Sequence, residues 1–291
     1  MIKIKDKANG LVSHGVSACA GCGMELILRN ILDVLGEDVT IIIPPGCSAL
    51  FCGYGKETAL KISGFQGNLE NSAAIASGIR AGYRVQGNNH TTVLAFAGDG
   101  GTLDIGLQSL SGMMERGDDV LYVCYDNEAY MNTGIQGSSA TPMGAWTTTT
   151  PMGKPVYKKS LLGIAIAHSV PYCASCSMGN IPDLRRKIRK AKEISGPRII
   201  HVFSPCPTGW GIHPSKSVEV SKMAIKSGAW ILYEYENGKI KINAKPKELV
   251  PVKEYLATQK RFKNVSEDTV EAMQRIVEQQ YNELIKMEQE S

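Results

Sequence analysis

Short runs of consecutive apolar residues, many of them β-branched, alternate along the chain with longer amphipathic stretches. The apolar runs predict buried strands of a parallel sheet, because such strands are covered on both faces. They fall at residues 39–43, 91–97, 120–125 and 198–203. The amphipathic stretches predict helices at residues 24–35, 69–85, 107–116, 161–169 and 181–194. Strands that alternate with helices indicate an α/β fold with a doubly wound, mostly parallel sheet.

The pattern changes in the last part of the chain. Residues 230–236 and 239–242 flank an Asn-Gly dipeptide, which predicts a β-hairpin with a type I′ turn. Residues 266–287 begin with a serine cap and two acidic residues and repeat apolar positions at helical spacing, which predicts an amphipathic helix. We therefore predict an α/β domain at residues 1–213 and a C-terminal extension at residues 214–291, packed on that domain or on a partner subunit.

The composition of the 291-residue chain is that of a folded protein, with 43% hydrophobic and 21% charged residues. A net charge of +4 gives no indication of nucleic acid binding. The chain lacks an apolar run of about 18 residues, and its charged start, MIKIKDKANG, does not resemble a secretory signal. We therefore expect a cytoplasmic protein without membrane contact, in which eight cysteines favour metal or redox chemistry over disulfides.

Chemically unusual segments follow each of the four predicted strands. They are Pro44-Pro45-Gly46-Cys47, Gly98-Asp99-Gly100-Gly101, Asp126-Asn127-Glu128 and Ser204-Pro205-Cys206-Pro207. Ligands of open α/β sheets bind outside the carboxyl ends of the strands. We therefore expect these four segments to meet at one edge of the sheet.

The second and third segments together carry the pattern of a site for a diphosphate and a divalent cation. The glycines allow the backbone to approach a phosphate closely. Asp99 offers a carboxylate oxygen, Asn127 an amide oxygen and Ala129 a carbonyl oxygen, a set that suits Mg²⁺ bound to a diphosphate. This GDG-x26-N spacing is the thiamine diphosphate pattern, with two unrelated turns as the alternative. A nicotinamide site is disfavoured, because no G-x-G-x-x-G follows the first strand.

Four cysteines are candidate ligands of one metal centre: Cys19, Cys22, Cys47 and Cys206. Four thiolates suit a [4Fe-4S] cluster, and zinc would accept the same set. A thioredoxin-like site is disfavoured, because the residues before Cys19 do not form a strand pattern. Cys52 stays open as a ligand by its spacing, whereas Cys173 and Cys176 are expected to lie in a loop without a ligand.

Several long motifs resemble one known family. They are CAGCG at 19–23, PPGCS at 44–48, GDGGTLDIGLQSLSG at 98–112, YDNEAYMNTGIQGSSATPMGA at 125–145 and SPCPTGW at 204–210. They are similar to motifs of the β subunit of pyruvate:ferredoxin oxidoreductase and its 2-oxoacid relatives. The likeness extends over nearly the whole chain, including the tail segments SGAWILYEYENGK and PVKEYLATQKRF.

The resemblance implies thiamine diphosphate, Mg²⁺ and a [4Fe-4S] cluster as cofactors. It implies Mg²⁺ ligands at Asp99, Asn127 and the Ala129 carbonyl, and cluster ligands at Cys19, Cys22, Cys47 and Cys206. It places Gly46, Cys47, Gly98, Asp99, Gly100, Gly101, Asn127, Asn132 and Thr133 around thiamine diphosphate. Asn132 would face the reacting carbon as the catalytic residue. Glu128 is expected to order its loop and not to act as a base.

The resemblance also implies oxidative decarboxylation of a small 2-oxoacid. Pyruvate with coenzyme A is the first expectation, and oxalate without coenzyme A is the second, because Gly137 stands where the pyruvate enzymes often carry Arg. The family uses a carboxylate on a separate pyrimidine-binding domain, so we expect an α subunit, γ and ferredoxin-like δ subunits, and ferredoxin as partners. A non-redox thiamine decarboxylase or synthase and a pure electron-transfer subunit are the other classes.

Overall fold

The computed structural model describes residues 10–53 and 58–290. The first nine residues, on which the expectation of no secretory signal depended, lie outside this range. The described residues form one eight-stranded sheet in the order β2-β1-β3-β4-β6-β5-β7-β8. Its strands are β1 (Val39–Ile43), β2 (Ser63–Gln66), β3 (Thr92–Gly98), β4 (Leu121–Asp126), β5 (Tyr172–Ser177), β6 (Arg198–Phe203), β7 (Tyr233–Glu236) and β8 (Lys239–Ile242).

Helices cover both faces of the sheet. They are α1 (Gly23–Leu35), α2 (Ser72–Val85), α3 (Asp99–Leu103), α4 (Leu107–Glu115), α5 (Leu161–Ala167), α6 (Ile181–Glu193), α7 (Pro207–Trp210), α8 (Ser217–Lys226), α9 (Val252–Ala257) and α10 (Glu267–Glu290). One buried cluster joins α1 and α6 to one face of the sheet, and a second joins α2, α4 and α5 to the other. The doubly wound α/β fold is therefore confirmed, with β1 to β6 parallel.

The four predicted strands and five predicted helices are confirmed, with ends that move by a few residues. The expectation of a loop at Cys173 and Cys176 is wrong, because both lie in β5, which is buried along its length. Residues three apart in a strand point to opposite faces. Cys173 accordingly belongs to the cluster with α5, and Cys176 to the cluster with α1 and α6, so these thiols cannot bind one metal ion.

The strand β2 was not predicted from the sequence. It is an outer strand, and all four of its residues are exposed, including Phe65 at 51%. Its composition of serine, glycine, phenylalanine and glutamine carries no run of apolar residues that would indicate a buried strand.

The C-terminal extension packs on its own chain. Asn237 and Gly238 have φ of 47° and 90°, as a type I′ turn requires, and β7 pairs antiparallel with β5. The Oγ atom of Ser266 accepts a hydrogen bond from the N–H of Thr269 at 3.2 Å, which caps α10 as predicted. This helix packs its apolar face into a buried cluster that also contains Trp210.

None of the helices in the described residues combines the length and the apolar character that a bilayer span requires.

Glu234 of β7 is a buried anion that ties the extension to the sheet. Its carboxylate accepts hydrogen bonds from the Tyr172 hydroxyl at 3.0 Å, Arg186 at 3.0 Å, Lys190 at 3.1 Å and the Asn243 amide at 3.0 Å. Burial alone would raise the pKa of Glu234, but these hydrogen bonds outweigh it and lower the pKa to about 2.

Replacing Glu234 by Gln should lower the free energy of unfolding by about 1–2 kcal/mol at pH 7, because the cations it pairs are partly exposed to solvent. A depressed pKa stabilises the fold above the unfolded pKa of about 4.3 and loses this effect as the pH falls toward 2. Urea unfolding at pH 7 and pH 3 measures this difference.

Glu236→Gln is the matched control, because Glu236 is 41% exposed and pairs with Lys190. It should change stability by less than about 0.5 kcal/mol. An equal loss in the Glu234 variant at both pH values would contradict a role for its ionised carboxylate.

Candidate active site

The carboxyl ends of β1, β3, β4 and β6 lie side by side at one edge of the sheet, as the sequence predicted. Cys47 begins a short 3-10 turn after β1, and Asp99 begins α3 directly after β3. Asn127 follows the last residue of β4, and Cys206 caps α7 after β6. Four segments that are far apart in the sequence therefore form one site.

Three oxygen-bearing groups converge at the ends of β3 and β4. The Asp99 carboxylate is buried and accepts hydrogen bonds from the Ser138 hydroxyl at 2.5 Å and the Asn127 N–H at 3.3 Å. One terminal atom of the Asn127 amide lies 2.7 Å from the Ala129 carbonyl oxygen and 3.1 Å from Asp99 Oδ1. As a nitrogen, this atom donates two hydrogen bonds. As an oxygen, it completes a set of three oxygens that suits Mg²⁺.

The electrostatics of this edge favour a cation. Burial and the nearby Asp126 carboxylate raise the pKa of Asp99 well above its usual range. Asp126 itself pairs with His201 Nε2 at 2.8 Å. A divalent cation beside Asp99 would offset the cost of its buried charge and favour the carboxylate form.

Two glycines at this edge are required by their surroundings. Gly46, just before Cys47, has φ of 138°, which a side chain rarely allows. A Cβ atom on Gly100 would lie 2.3 Å from the ring of Tyr130. The Tyr130 hydroxyl donates to the Gly100 carbonyl oxygen at 3.1 Å, so the glycine fixes how the tyrosine packs.

All four candidate cluster ligands line one cavity of about 240 Å³. Cys22 is the N-cap residue of α1, and Cys206 accepts a hydrogen bond from the Gly209 N–H at 3.3 Å. Asn127 and Asn132 line the same cavity, whereas Cys52 lies outside the set that lines it. This cavity, called the cysteine cavity below, therefore adjoins the oxygen set formed by Asp99, Asn127 and Ala129. Asn127 belongs to both.

Burial disfavours the thiolate form of two of these cysteines when they hold no metal. Burial is the main cause, and the other thiols of the cavity act in the same direction, so that the pKa of Cys22 rises to about 11 and that of Cys47 to about 12. Within the described residues, no three His, Cys, Asp or Glu side chains converge closely enough to hold a single ion.

Two other predicted site residues differ in their surroundings. Asn132 is exposed and lines the cysteine cavity, where its amide is accessible to a ligand. Thr133 is also exposed, but its hydroxyl donates to Gln136 Oε1 at 2.6 Å. A phosphate contact by Thr133 would therefore have to replace this hydrogen bond.

Sequence reasoning missed two residues that order the site. Ser138 donates to Asp99, and the Tyr125 hydroxyl bonds both the N–H of Ser48, at 3.1 Å, and its Oγ, at 3.0 Å. The tyrosine thereby holds the turn that presents Cys47. Both residues lie within the motif at 125–145, but nothing in their types indicated a contact with another strand end.

Comparison with known families defines the class of domain. Residues 45–202 match the family described as the thiamine pyrophosphate enzyme, C-terminal TPP binding domain. This range contains the ends of β3 and β4 and the turn at Cys47, so the chain carries a thiamine diphosphate-binding domain.

Curated relatives extend the likeness to nearly the whole chain. The pyruvate synthase subunit PorB of Methanothermobacter marburgensis is 46% identical over 94% of this chain and 96% of the relative. The ketoisovalerate oxidoreductase subunit VorB of Pyrococcus abyssi is 45% identical over 94% of this chain and 92% of the relative. The chain therefore belongs to the 2-oxoacid:ferredoxin oxidoreductase family, as a β subunit, which confirms the resemblance of its motifs.

A solved structure shows the same fold. It is the 2-oxoglutarate:ferredoxin oxidoreductase from Magnetococcus marinus with 2-oxoglutarate, coenzyme A and succinyl-CoA bound. One of its chains aligns with a TM-score of 0.61 and 24% identity, over 72% of this chain and 70% of that chain.

Proposed function

We propose that this chain binds thiamine diphosphate, Mg²⁺ and one [4Fe-4S] cluster, and that it oxidatively decarboxylates pyruvate with coenzyme A and passes electrons to ferredoxin. The observation that carries the proposal is that two sets of potential metal ligands lie next to each other. The oxygens at Asp99, Asn127 and Ala129 adjoin a cavity lined by the four cysteines. A redox centre beside a diphosphate site is the arrangement that an electron-releasing decarboxylation requires.

The residues present fit both inorganic groups. Asp99, Asn127 and the Ala129 carbonyl would hold Mg²⁺, which binds few protein oxygens beside phosphate oxygens and water. Cys19, Cys22, Cys47 and Cys206 would hold the cluster, because four thiolates are its usual ligands. Zinc is the weaker alternative for these thiols, since within the described residues no three of them converge closely enough to hold a single ion.

Thiamine diphosphate, when bound, supplies a carbon nucleophile and an electron sink for the decarboxylation of a 2-oxoacid. The residues of this chain bind and orient the reactants. Asn132 extends into the cavity that adjoins the cation site, where its amide can hydrogen-bond an oxygen on the reacting carbon. Cys19, Cys22, Cys47 and Cys206 line the same cavity and would hold the cluster, which would supply a one-electron acceptor beside the reacting carbon.

The family context supports a heteromeric enzyme. Two relatives are named as the B subunits of pyruvate synthase and ketoisovalerate oxidoreductase, which implies further subunits in those enzymes. We propose that an α subunit supplies the carboxylate for the pyrimidine ring, and that γ and ferredoxin-like δ subunits complete the assembly. We also propose that residues 1–213 form the cofactor domain and residues 214–291 its extension.

Our ranking of the substrates takes account of Gly137 and of the threonine turn beside it. The Gly137 N–H donates to Thr149 Oγ1 at 2.9 Å, and a Cβ atom there would lie 3.3 Å from Thr147 Oγ1. A side chain at this position, such as the arginine that the pyruvate enzymes often carry, would require the turn to give by a few tenths of an ångström. Oxalate, which needs no acyl acceptor, is therefore our second candidate, and its second carboxylate would require cations from the partner.

Replacing Asp99 by Ala should weaken Mg²⁺-dependent binding of thiamine diphosphate by at least about 100-fold, because even residues that only support metal ligands are worth about 10–100-fold. The fold should remain, since Asp99 lies at a strand end. Isothermal titration of the enzyme purified with its partner subunits, together with circular dichroism, measures both effects. Asp118→Ala is the control, because Asp118 precedes the amino end of β4, opposite to the end that carries the site. Normal cofactor affinity in the Asp99 variant would remove Asp99 from the site.

Replacing Cys47 by Ala should abolish the electron paramagnetic resonance signal of the dithionite-reduced cluster, because one of four ligands is lost. Cys52→Ala is the matched control and should keep the signal, since Cys52 lies outside the cysteine cavity. The reverse result, with the signal kept in the Cys47 variant and lost in the Cys52 variant, would show that the wrong thiol was assigned.

The substrate proposal predicts viologen reduction by the anaerobic complex with pyruvate and coenzyme A. The parallel reactions contain ketoisovalerate with coenzyme A, and oxalate without it. The isolated chain is the negative control, because it lacks the proposed pyrimidine-binding partner. Activity with oxalate alone, independent of coenzyme A, would replace pyruvate by our second candidate. Activity with ketoisovalerate alone would assign a branched substrate.

A further inference from the structure

Glu128 is a buried carboxylate between two of the proposed Mg²⁺ ligands, Asn127 and Ala129. Its backbone has φ of 63°, a left-handed conformation that a residue with a side chain adopts only when its surroundings enforce it. Its side chain is 2% exposed, and both carboxylate oxygens are paired. Lys158 donates to Oε1 at 3.1 Å, and Arg261 donates to Oε2. Glu128 is therefore held in place and is not free to act as a base.

Arg261 comes from the C-terminal extension, and its side chain is also 2% exposed. Its guanidinium lies 3.7 Å from the centre of the Trp210 ring. Its Nε donates to Gln259 Oε1 at 2.8 Å, and its carbonyl oxygen accepts from the Trp146 N–H at 2.9 Å. The arginine is thus fixed by contacts on several sides, and its position relative to Glu128 is well defined.

Trp210 connects this arginine to the loop of Glu128 by a second route. The indole N–H of Trp210 donates to the backbone oxygen of Asn127 at 2.9 Å. Trp210 also ends the short helix α7, which Cys206 caps. Arg261 therefore contacts the loop of the cation site through Glu128, and the loop of the cysteine cavity through Trp210.

We propose that Arg261 is a positioning residue, through which the C-terminal extension holds Asn127 and Ala129 in the geometry that Mg²⁺ requires. It does so by neutralising Glu128 and by stacking on Trp210. This inference rests on the proposed function, since it concerns the proposed Mg²⁺ ligands. Arg261 itself does not contact these ligand oxygens, so its effect reaches the cation through the two contacts described above.

The test measures the Mg²⁺ concentration that gives half-maximal binding of thiamine diphosphate, in the enzyme purified with its partner subunits. Arg261→Met should raise this concentration tenfold or more. Arg261→Lys, which keeps the charge but loses the planar contact with Trp210, should raise it less. Arg275→Met is the matched control from the same extension, because Arg275 is 71% exposed, and it should leave the value unchanged.

A double variant distinguishes a positioning role of Arg261 from a role in folding alone. Arg261→Met alone leaves the buried Glu128 with one cationic partner, so the melting temperature should also fall. The double variant Glu128→Gln with Arg261→Met removes the carboxylate but leaves Lys158 without its anionic partner, so its melting temperature should fall further. Its half-maximal Mg²⁺ concentration should stay high, because the loop has still lost its connection to the extension.

Three outcomes would overturn the inference. An unchanged Mg²⁺ requirement in Arg261→Met, with wild-type binding intact, would refute it and leave the proposed function standing. A wild-type Mg²⁺ requirement in the double variant would show that the incompletely neutralised Glu128 carboxylate, and not the lost connection, caused the defect. Wild-type enzyme that binds thiamine diphosphate without Mg²⁺ would refute both this inference and the proposed cation site.

Discussion

The parallel pairing of β1, β3, β4 and β6 is the constraint on which the site depends. A strand rises by about 3.3 Å per residue, so a shift of one residue between β3 and β4 would move Asp99 away from Asn127 by that distance. Mg²⁺ tolerates far less variation in its oxygen distances. The register that places Gly98 opposite Tyr125 therefore decides whether the oxygen set exists. The fully buried side chains of these strands fix that register, because a slipped strand would exchange its two faces.

The same edge concentrates negative charge in a small volume. Asp99, Asp126 and Glu128 are all buried there. Asp126 is paired with His201, and Glu128 with Lys158 and Arg261. Within the described part of the chain, Asp99 is hydrogen-bonded to Ser138 and Asn127, and no ion pair to it is found. Two of the carboxylates are thus paired with side chains of the protein, and the third is the one that a bound cation would balance.

The sequence predicted those features that leave a local pattern. Continuous apolar runs indicated four central strands, and the segments after them indicated where the site residues meet. The strand β5 was not predicted, because its sequence YCASCS consists mostly of small and polar residues. Their burial results from the strands and helices around them. The ion pair between Glu128 and Arg261 joins residues 133 positions apart. Such a contact produces no periodicity in either segment, so only the folded structure reveals it.

The two outer strands of the sheet differ in their protection against self-association. In β8, exposed Lys239 and Lys241 alternate with buried isoleucines, and α10 packs beside the strand. In β2, no residue is charged, and Phe65 is half exposed. Outer strands offer backbone hydrogen-bonding groups to other chains, and lysines are a common means of preventing this. Among the residues that the structure describes, β8 therefore carries features that oppose aggregation, and β2 is the outer strand that is more open to pairing with another chain.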